Sequence, residues 1–265
     1  MAANTEKQRS SRREATRERS NQLGRPETAP TTGRSGPLTH RSPTGHEVLA
    51  VVLQVRAAEL AVLLWQRARE PFSGRWSLPG GTLADDESLK PSIKRQLAEK
   101  VDIRDLSHLE QLETRGEVDR YPGRRVIATT YLGLVPAHID PQLPTDTRWH
   151  PVAALPPIAF DHASLLASGA RRLRSKLSYT NLGFALAPPA FTISELASYY
   201  HAALGHDVSP TNLQRILLRR GQIEPTGAAA PSGRAGGRPA ALFRFRGRNL
   251  EITDPFAVLH PPESP

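Results

Sequence analysis

The sequence predicts a protein of mixed α and β structure (α+β/α/β), in which an α/β/α sandwich precedes a winged helix-turn-helix. Two observations favour this fold class. The runs HEVLAVVLQVR (46–56) and ELAVLLWQR (59–67) are dense in β-branched and aliphatic residues and are typical of buried strands, with RAAE as a hairpin turn between them. Beyond about residue 178, two short helical patterns and a Gly- and Ala-rich hairpin replace that texture.

Composition shifts along the chain predict its division. Residues 1–45 are rich in Arg, Ser and Pro and cannot bury enough apolar surface to fold, so we expect a disordered basic tail. A ligand-binding domain is predicted over 46–160 and a linker helix over 161–178. A winged helix-turn-helix is predicted over 179–250, followed by a C-terminal tail over 251–265.

The 265-residue chain has no Cys, which excludes disulfides, thiolate nucleophiles and Cys-ligated zinc. Its nine His are scattered singly, and no metal site is predicted from them. No apolar stretch is long enough to span a membrane, so we expect a soluble, cytoplasmic protein without a membrane partner. The net charge of +9, from 35 basic and 26 acidic residues, suggests a nucleic-acid partner, although a biased composition would give the same charge.

Further elements of the first domain follow from local patterns. Strands are predicted at 109–118 and 124–136, with the turn DRYPGR between them. REPFSGRWSLPGG (69–81), punctuated by Gly and Pro, is predicted to be a loop. HASLLASGARRLRSKL (162–177) has apolar residues on one face and basic residues on the other, which indicates an amphipathic helix.

The stretch GTLADDESLKPSIKRQLAEKVDI (81–103) carries the chemistry of this domain. Ser88 is expected to cap a helix, with Pro91 in its first turn. On that helix the i, i+3, i+4 spacing places Gln96, Glu99 and Lys100 on one face. That face therefore shows one carboxylate beside an amide and an ammonium.

This stretch, preceded by SLPGG, resembles the Nudix box, whose pattern is G-x5-E-x7-R-E-U-x-E-E-x-G-U with U an aliphatic residue. The positions that agree are Gly81, Glu87, Arg95, Leu97, Glu99 and Ile103, and those that depart are Gln96, Lys100 and Asp102. In the family, carboxylates on this helix hold divalent cations, which an ammonium repels. We therefore predict no catalytic residue, metal or cofactor; a working ADP-ribose pyrophosphatase that uses the remaining carboxylates stays as the alternative.

A site that no longer cleaves a diphosphate can still bind one. Glycines in the turn allow a phosphate to approach the backbone, and several arginines lie near strand ends that could face the cleft. The predicted effector-binding residues are Arg67, Gly80, Gly81, Arg95, Glu99, Arg124 and Arg125. Taken singly, each arginine is equally compatible with a solvated surface charge.

The C-terminal pattern predicts two short helices and a wing. Thr192 or Ser194 is expected to cap the first helix, and Ser209 followed by Pro210 begins the second, which ends at Gly221. Asn reads adenine and Arg reads guanine in the major groove, chiefly from the start of a recognition helix. The predicted DNA-binding residues are Thr211, Asn212, Gln214, Arg215, Arg219 and Arg220 on this helix, with Arg234 and Arg238 at the wing tip.

Together the two halves resemble the Nudix-related transcriptional regulators called NrtR. The resemblance covers about residues 46–248 and includes Trp149 to His162, Arg172 to Tyr179 and Phe191 to Leu196. It implies a homodimeric repressor of NAD biosynthesis or salvage genes that binds an operator in double-stranded DNA. It further implies that ADP-ribose, or a related NAD metabolite, binds the Nudix domain and releases the DNA.

The family's recognition-helix motif N-F-R-R-K is only partly kept. Asn212 and Arg215 match it, whereas Leu213 and Gln214 depart from it and leave the operator sequence open. A pure protein-interaction scaffold is a third reading of the chain, which the base-reading residue types on this helix disfavour.

Overall fold

A mixed β-sheet forms the centre of the computed structural model, which describes residues 44–231 and 239–254. Its core strands run in the order β3-β2-β1-β6-β5, with β4 paired to β1 and β7 paired to β2. Strands β1 and β6 are parallel and the other pairs are antiparallel. The strands are β1 (Gly45–Arg56), β2 (Glu59–Gln66), β3 (Trp76–Ser77), β4 (Gly80–Thr82), β5 (His108–Arg115), β6 (Val126–Leu134) and β7 (Thr147–Pro151).

The predicted hairpin between β1 and β2 is confirmed. The turn residues Ala57 and Ala58 both have positive φ, at 46° and 63°. Two successive left-handed residues match the twist of a two-residue hairpin, although Ala takes this conformation less readily than Gly.

Helices cover both faces of the sheet. On one face α1 (Leu89–Val101) packs Ile93 and Leu97 against the inward side chains of β1, among them Val48. On the other face α2 (His162–Tyr179) packs Leu165, Leu166 and Leu173 on the alternate side chains of the same strand. The period-2 alternation of β1 therefore supplies both interfaces, which is why its run of apolar residues is continuous.

Two local expectations were wrong or incomplete, and one strand, β7, was not predicted. The predicted loop 69–81 contains β3 and β4, and the segment before α2 contains β7, because sheet pairing extends short Gly- and Pro-flanked stretches that have no strand pattern of their own. Ser88 stands at the N-cap of α1, but its side chain makes no capping hydrogen bond.

The C-terminal part is a winged helix. After a 3₁₀ turn (Leu182–Ala185) come α3 (Ile193–Leu204) and α4 (Pro210–Arg219), then the hairpin of β8 (Ile223–Ala229) and β9 (Ala241–Phe245). The predicted fold class is thereby confirmed. Within the described residues, none of the helices is long and apolar enough to cross a membrane.

The predicted caps of the winged helix form as hydrogen bonds. The Thr192 hydroxyl accepts from the Glu195 amide at 3.2 Å, and the Glu195 carboxylate accepts from the Thr192 amide at 2.7 Å, which is a capping box. Ser209 accepts from the Asn212 amide at 3.4 Å, with Pro210 at the start of α4. The second helix ends before Gly221, whose φ is 64°.

The winged helix shares its core with the sandwich. Leu196, Leu213 and Phe243 belong to the same buried cluster as the α2 leucines and the sheet. Within the predicted C-terminal tail (251–265), Thr253 donates its amide to the Tyr179 carbonyl at 2.9 Å, and residues 255–265 lie outside the described residues. The predicted tail 1–45 lies outside the described residues except for its last two positions.

Candidate functional site

The turn between β3 and α1 is built on two glycines that have no room for a side chain. Gly80 has a φ of 149°, and a Cβ there would lie 2.1 Å from the Val48 carbonyl oxygen in β1. A Cβ at Gly81 would lie 2.5 Å from the Lys100 ammonium and 2.7 Å from the Gln96 amide oxygen. The backbone of this turn is therefore packed directly between β1 and the side chains of α1.

Gln96 and Lys100 both bond to the turn. Gln96 is buried and donates to the Thr82 carbonyl at 3.1 Å. The Lys100 ammonium donates to the Gly80 carbonyl at 2.8 Å and lies 5.7 Å from the centre of the Trp65 ring. Burial, followed by the nearby Arg95 guanidinium, lowers the pKa of Lys100 below its usual value.

The two carboxylates of the box are held by one arginine. Arg95 donates to Glu87 and Glu99, each at 3.0 Å, and its hydrogen bond lowers the pKa of Glu87 to about 2, with a further contribution from Ser92. Glu99 thus pairs with Arg95 on the exposed side of α1, whereas Gln96 and Lys100 face the turn. The three residues were predicted to share one face of the helix, but only Gln96 and Lys100 contact the turn, whereas Glu99 does not.

A divalent cation, which the Nudix box implies, does not fit these residues. The Gly80 carbonyl already accepts from an ammonium, and both carboxylates already accept from a guanidinium. Among the residues that the structure describes, no three His, Cys, Asp or Glu side chains are grouped so as to hold a metal. Metal binding at this turn would require breaking these bonds and placing a divalent charge beside Lys100.

Two further predicted residues, Arg67 and Arg124, stack on aromatic rings that were not predicted. Arg67 lies over Phe160 with 4.7 Å between guanidinium carbon and ring centre, Phe160 stacks on Tyr121 at 4.9 Å, and Arg124 lies 4.4 Å over Tyr121. Phe72 contacts the same Phe160 edge-on at 4.9 Å. We call these five residues the arginine–aromatic stack.

The stack includes two residues in an unfavourable backbone conformation. Phe72 and Phe160 have φ values of 66° and 55°, which aromatic residues seldom adopt. Such conformations persist only where the surroundings enforce them, and they cluster at ligand sites. Both rings line a cavity of about 460 Å³ together with Arg115, Glu117, Asp119, Arg120, Pro122 and Asp161.

Arg120 is a component of this cavity that the sequence analysis missed. Its side chain is 2% exposed, and it donates to Glu47 at 2.7 Å and to Asp161 at 2.8 Å. These carboxylates lie 73 and 41 positions away along the chain, so no local pattern links them to Arg120. Through these bonds Arg120, in the β5–β6 loop, connects Glu47 near the start of β1 with Asp161 at the N-cap of α2.

The predicted effector residues therefore fall into two groups. Gly80, Gly81, Arg95 and Glu99 meet at the box turn, whereas Arg67 and Arg124 belong to the stack. Arg125 joins neither: it has one buried guanidinium nitrogen without a hydrogen-bond partner, and its carbonyl accepts from Gly45. The groups border the same end of β1, because Glu47, which binds Arg120, is the cross-strand partner of Thr82 beside Gly81.

The second helix of the winged domain presents an exposed polar face. The exposed members of the predicted set are Thr211, Asn212, Arg215 and Arg219, and Gln214 is half-buried. Leu213 and Leu217 are buried in the core, which fixes the face that points outward. Arg215 donates to the Asn212 side-chain oxygen at 2.8 Å, so the two base-reading groups lie together.

The other three predicted DNA-binding residues are not on this exposed face. Arg220 is half-buried and bonds to the Ser178 carbonyl at 2.8 Å and to the Asp254 carboxylate, so its guanidinium ties α4 to the end of α2 instead of projecting toward solvent. These bonds engage its guanidinium within the protein, and its contact with a phosphate stays a prediction. Arg234 and Arg238 lie outside the described residues.

Comparisons with known protein families match both the N-terminal sandwich and the C-terminal winged helix. The family model described as the NUDIX domain matches residues 45–168, and the one described as the NrtR DNA-binding winged helix domain matches residues 183–245. The ADPR responsive transcriptional repressor NtrR of Acinetobacter baylyi is 32% identical over 217 residues, which are 79% of this chain and 85% of that protein.

Solved structures of related proteins have a similar fold. The crystal structure of Shewanella oneidensis NrtR complexed with a 27mer DNA is similar with a TM-score of 0.65 and 32% identity, over 76% of this chain and 93% of that one. NrtR of the same organism without DNA gives a TM-score of 0.66 and the same identity, over 76% and 94% of the two chains. With a Nudix domain, a winged helix of the NrtR type and relatives matched over most of their length, this chain belongs to the NrtR family.

Proposed function

We propose that the protein is a transcriptional repressor of NAD biosynthesis or salvage genes that responds to ADP-ribose. The observation that carries the proposal is the combination, in one chain, of an exposed Asn212–Arg215 pair on a winged-helix recognition helix and a Nudix turn held by an ammonium. The Acinetobacter relative is named as an ADPR-responsive repressor, and the Shewanella relative was solved with DNA. A protein that acts on chromosomal DNA in this way would act in the cytoplasm.

On the DNA side, α4 would enter the major groove. Asn212 and Arg215 offer the amide and guanidinium geometries that suit adenine and guanine edges. Thr211, Gln214 and Arg219 would support them through neighbouring edges or phosphates. Such modules usually bind as dimers to two half-sites, and we propose a homodimer here.

On the effector side, the diphosphate would dock at Gly80 and Gly81 beside the Lys100 ammonium, which lies 2.8 Å from the Gly80 carbonyl. The arginine–aromatic stack and its cavity would bind the base or the sugar of the effector. Aromatic rings and guanidinium groups can stack on a base, and the carboxylates of the cavity can accept hydrogen bonds from sugar hydroxyl groups. Support for this placement comes from the shared border of the two groups at Glu47 and Thr82.

The proposal is tested by a gel-shift titration of the full chain on the DNA upstream of its own gene. We expect a retarded band at moderate salt that ADP-ribose removes. A scrambled duplex of equal length serves as the control, because phosphate attraction alone would shift both. Equal affinity for the two duplexes, or no shift, would refute operator binding.

A Nudix hydrolase with an accessory DNA-binding domain is the second candidate. Glu87, just before α1, and Glu99 on α1 both remain, which favours some residual activity, but both accept from Arg95. Incubation with ADP-ribose and Mg²⁺ or Mn²⁺ separates the candidates. Rapid release of AMP would establish the hydrolase, whereas intact ADP-ribose is expected for the regulator.

A further inference from the structure

We propose that the Lys100 ammonium is a built-in cation of the effector site and receives the effector's diphosphate without a divalent metal ion. This rests on the proposed function for the identity of the effector, and it adds the group that binds the phosphates and the metal-free mode of binding. The position of the ammonium, its unused hydrogen-bond donors and the charges around it support this assignment.

The Lys100 ammonium lies directly against the backbone of the turn. It lies 2.8 Å from the Gly80 carbonyl and would be 2.5 Å from a Cβ on Gly81, so it is in contact with the backbone of both glycines. An ammonium has three N–H donors, and the Gly80 carbonyl takes one of them. Among the described residues Lys100 has no other hydrogen-bond acceptor and no carboxylate within ion-pair distance.

Packing holds this charge in place. Trp65 lies beside the ammonium at 5.7 Å from its ring centre, and the neighbouring Gln96 is pinned by its bond to the Thr82 carbonyl. A cation held against a ring and a carbonyl loses less freedom on meeting a ligand than a solvated lysine does. The site is therefore organised before the effector arrives.

The other box charges are already balanced. Arg95 pairs with Glu87 and with Glu99, so this guanidinium is offset by two carboxylates. The ammonium of Lys100 is thus the positive charge at the turn that has no ion-pair partner in the part of the chain that the structure describes. A diphosphate at the turn would be attracted mainly to it, and a second cation would be repelled.

Calorimetric titration of ADP-ribose into the full-length protein tests the inference. The titration is run with EDTA and, separately, with millimolar Mg²⁺. We expect wild-type protein to bind with the same Kd in both buffers. Lys100→Met should weaken binding at least tenfold in both, and Lys100→Gln should behave alike. Lys94→Met, an exposed lysine on the same helix, is the matched control and should bind as wild type.

Folding of each variant is checked by its thermal unfolding, which should match that of the wild-type protein. Wild-type binding that needs Mg²⁺, or unchanged affinity in a folded Lys100→Met protein, would overturn the inference while leaving an ADP-ribose-responsive repressor in place. If wild-type protein binds no ADP-ribose in either buffer, the proposed effector fails and the inference fails with it.

Discussion

Gly80 shows how tightly the box turn is constrained at the level of a single residue. Its φ of 149° is a conformation that side chains rarely allow, and the space a Cβ would need is taken by the Val48 carbonyl. Both limits come from the pairing of β4 with β1, which brings two backbones together beside α1. The turn can therefore present its carbonyl to Lys100 only as glycine.

Replacing Gly80 by Ala should destabilise the protein by about 3 kcal/mol or more, because backbone strain adds to a clash with another strand. Chemical denaturation gives the free energy of unfolding. Gly45→Ala in β1, opposite Val126 of β6, is the control: its Cβ would meet its nearest atom at 3.6 Å, so a change under about 1 kcal/mol is expected. Equal losses in both variants would contradict the argument.

How far the residues of the site could be predicted depended on whether their partners were near in sequence. The spacing of Gln96 and Lys100 on one helix showed that they would share a face, and both contact the turn. The hold of Arg95 on Glu87 and Glu99 was not foreseen. Arg120 was not foreseen either, since its importance comes from carboxylates that only the fold brings near.

Helices differ in how their N-termini are stabilised, and α1 and α3 can be compared directly. Both begin after a hydroxyl residue, Ser88 and Thr192, but only Thr192 forms a capping box, with Glu195. We expect Thr192→Ala to lower the free energy of unfolding by about 1 kcal/mol and Ser88→Ala to change it little. Denaturation curves for the two variants decide this, and a comparable loss in Ser88→Ala would contradict it.

The attachment of α2 to β5 should make stability depend on pH. Burial raises the pKa of Glu110, but the His108 ring nitrogen at 3.2 Å and the hydrogen bond from Lys176 outweigh it and lower the pKa to about 2. Lys176 donates at 2.6 Å, and Arg172 lies at 3.4 Å. Because the folded pKa is below the ordinary value of 4.5, the stabilisation is complete above about pH 4.5 and is lost as pH falls toward 2.

Glu110→Gln should therefore cost about 2 kcal/mol at pH 7 and less as the pH falls through 4. Urea denaturation of both proteins at a series of pH values measures the difference. Glu99→Gln, which removes an exposed ion pair, should cost under about 1 kcal/mol and serves as the control. A cost for Glu110→Gln that stays constant down to pH 3 would show that its charge is not responsible.

Long strands whose side chains are buried on both faces of the sheet could be predicted from the sequence, whereas the shortest strands could not. The runs of β1 and β2 and the later β6 carry their own apolar signal. Strands β3 and β4, of two and three residues, exist only because longer strands offer unpaired edges. No reading of local sequence reveals such a partner.

At the scale of the whole molecule, α2 links the effector side to the DNA side. Near its start, Asp161 binds Arg120 in the cavity wall, and at its end the Ser178 carbonyl accepts from Arg220 of α4. Its leucines lie in the core that includes both the sheet and the winged helix. An effector that shifts Arg120 would therefore act on the element that carries the recognition helix, and this is the physical basis we propose for release of DNA.

Arg215 and Arg220 make the division between contact and support testable. Arg215→Ala should weaken operator binding about tenfold or more, since a lost base contact costs about 1–3 kcal/mol, while leaving the melting temperature and ADP-ribose affinity unchanged. Arg220→Ala should instead lower the melting temperature, because it leaves the Ser178 carbonyl and the Asp254 carboxylate without this donor. Gel shifts on operator and scrambled duplexes, paired with thermal unfolding, separate the two. Loss of stability in Arg215→Ala, or selective loss of operator binding in a fully stable Arg220→Ala protein, would reverse the roles assigned to these arginines.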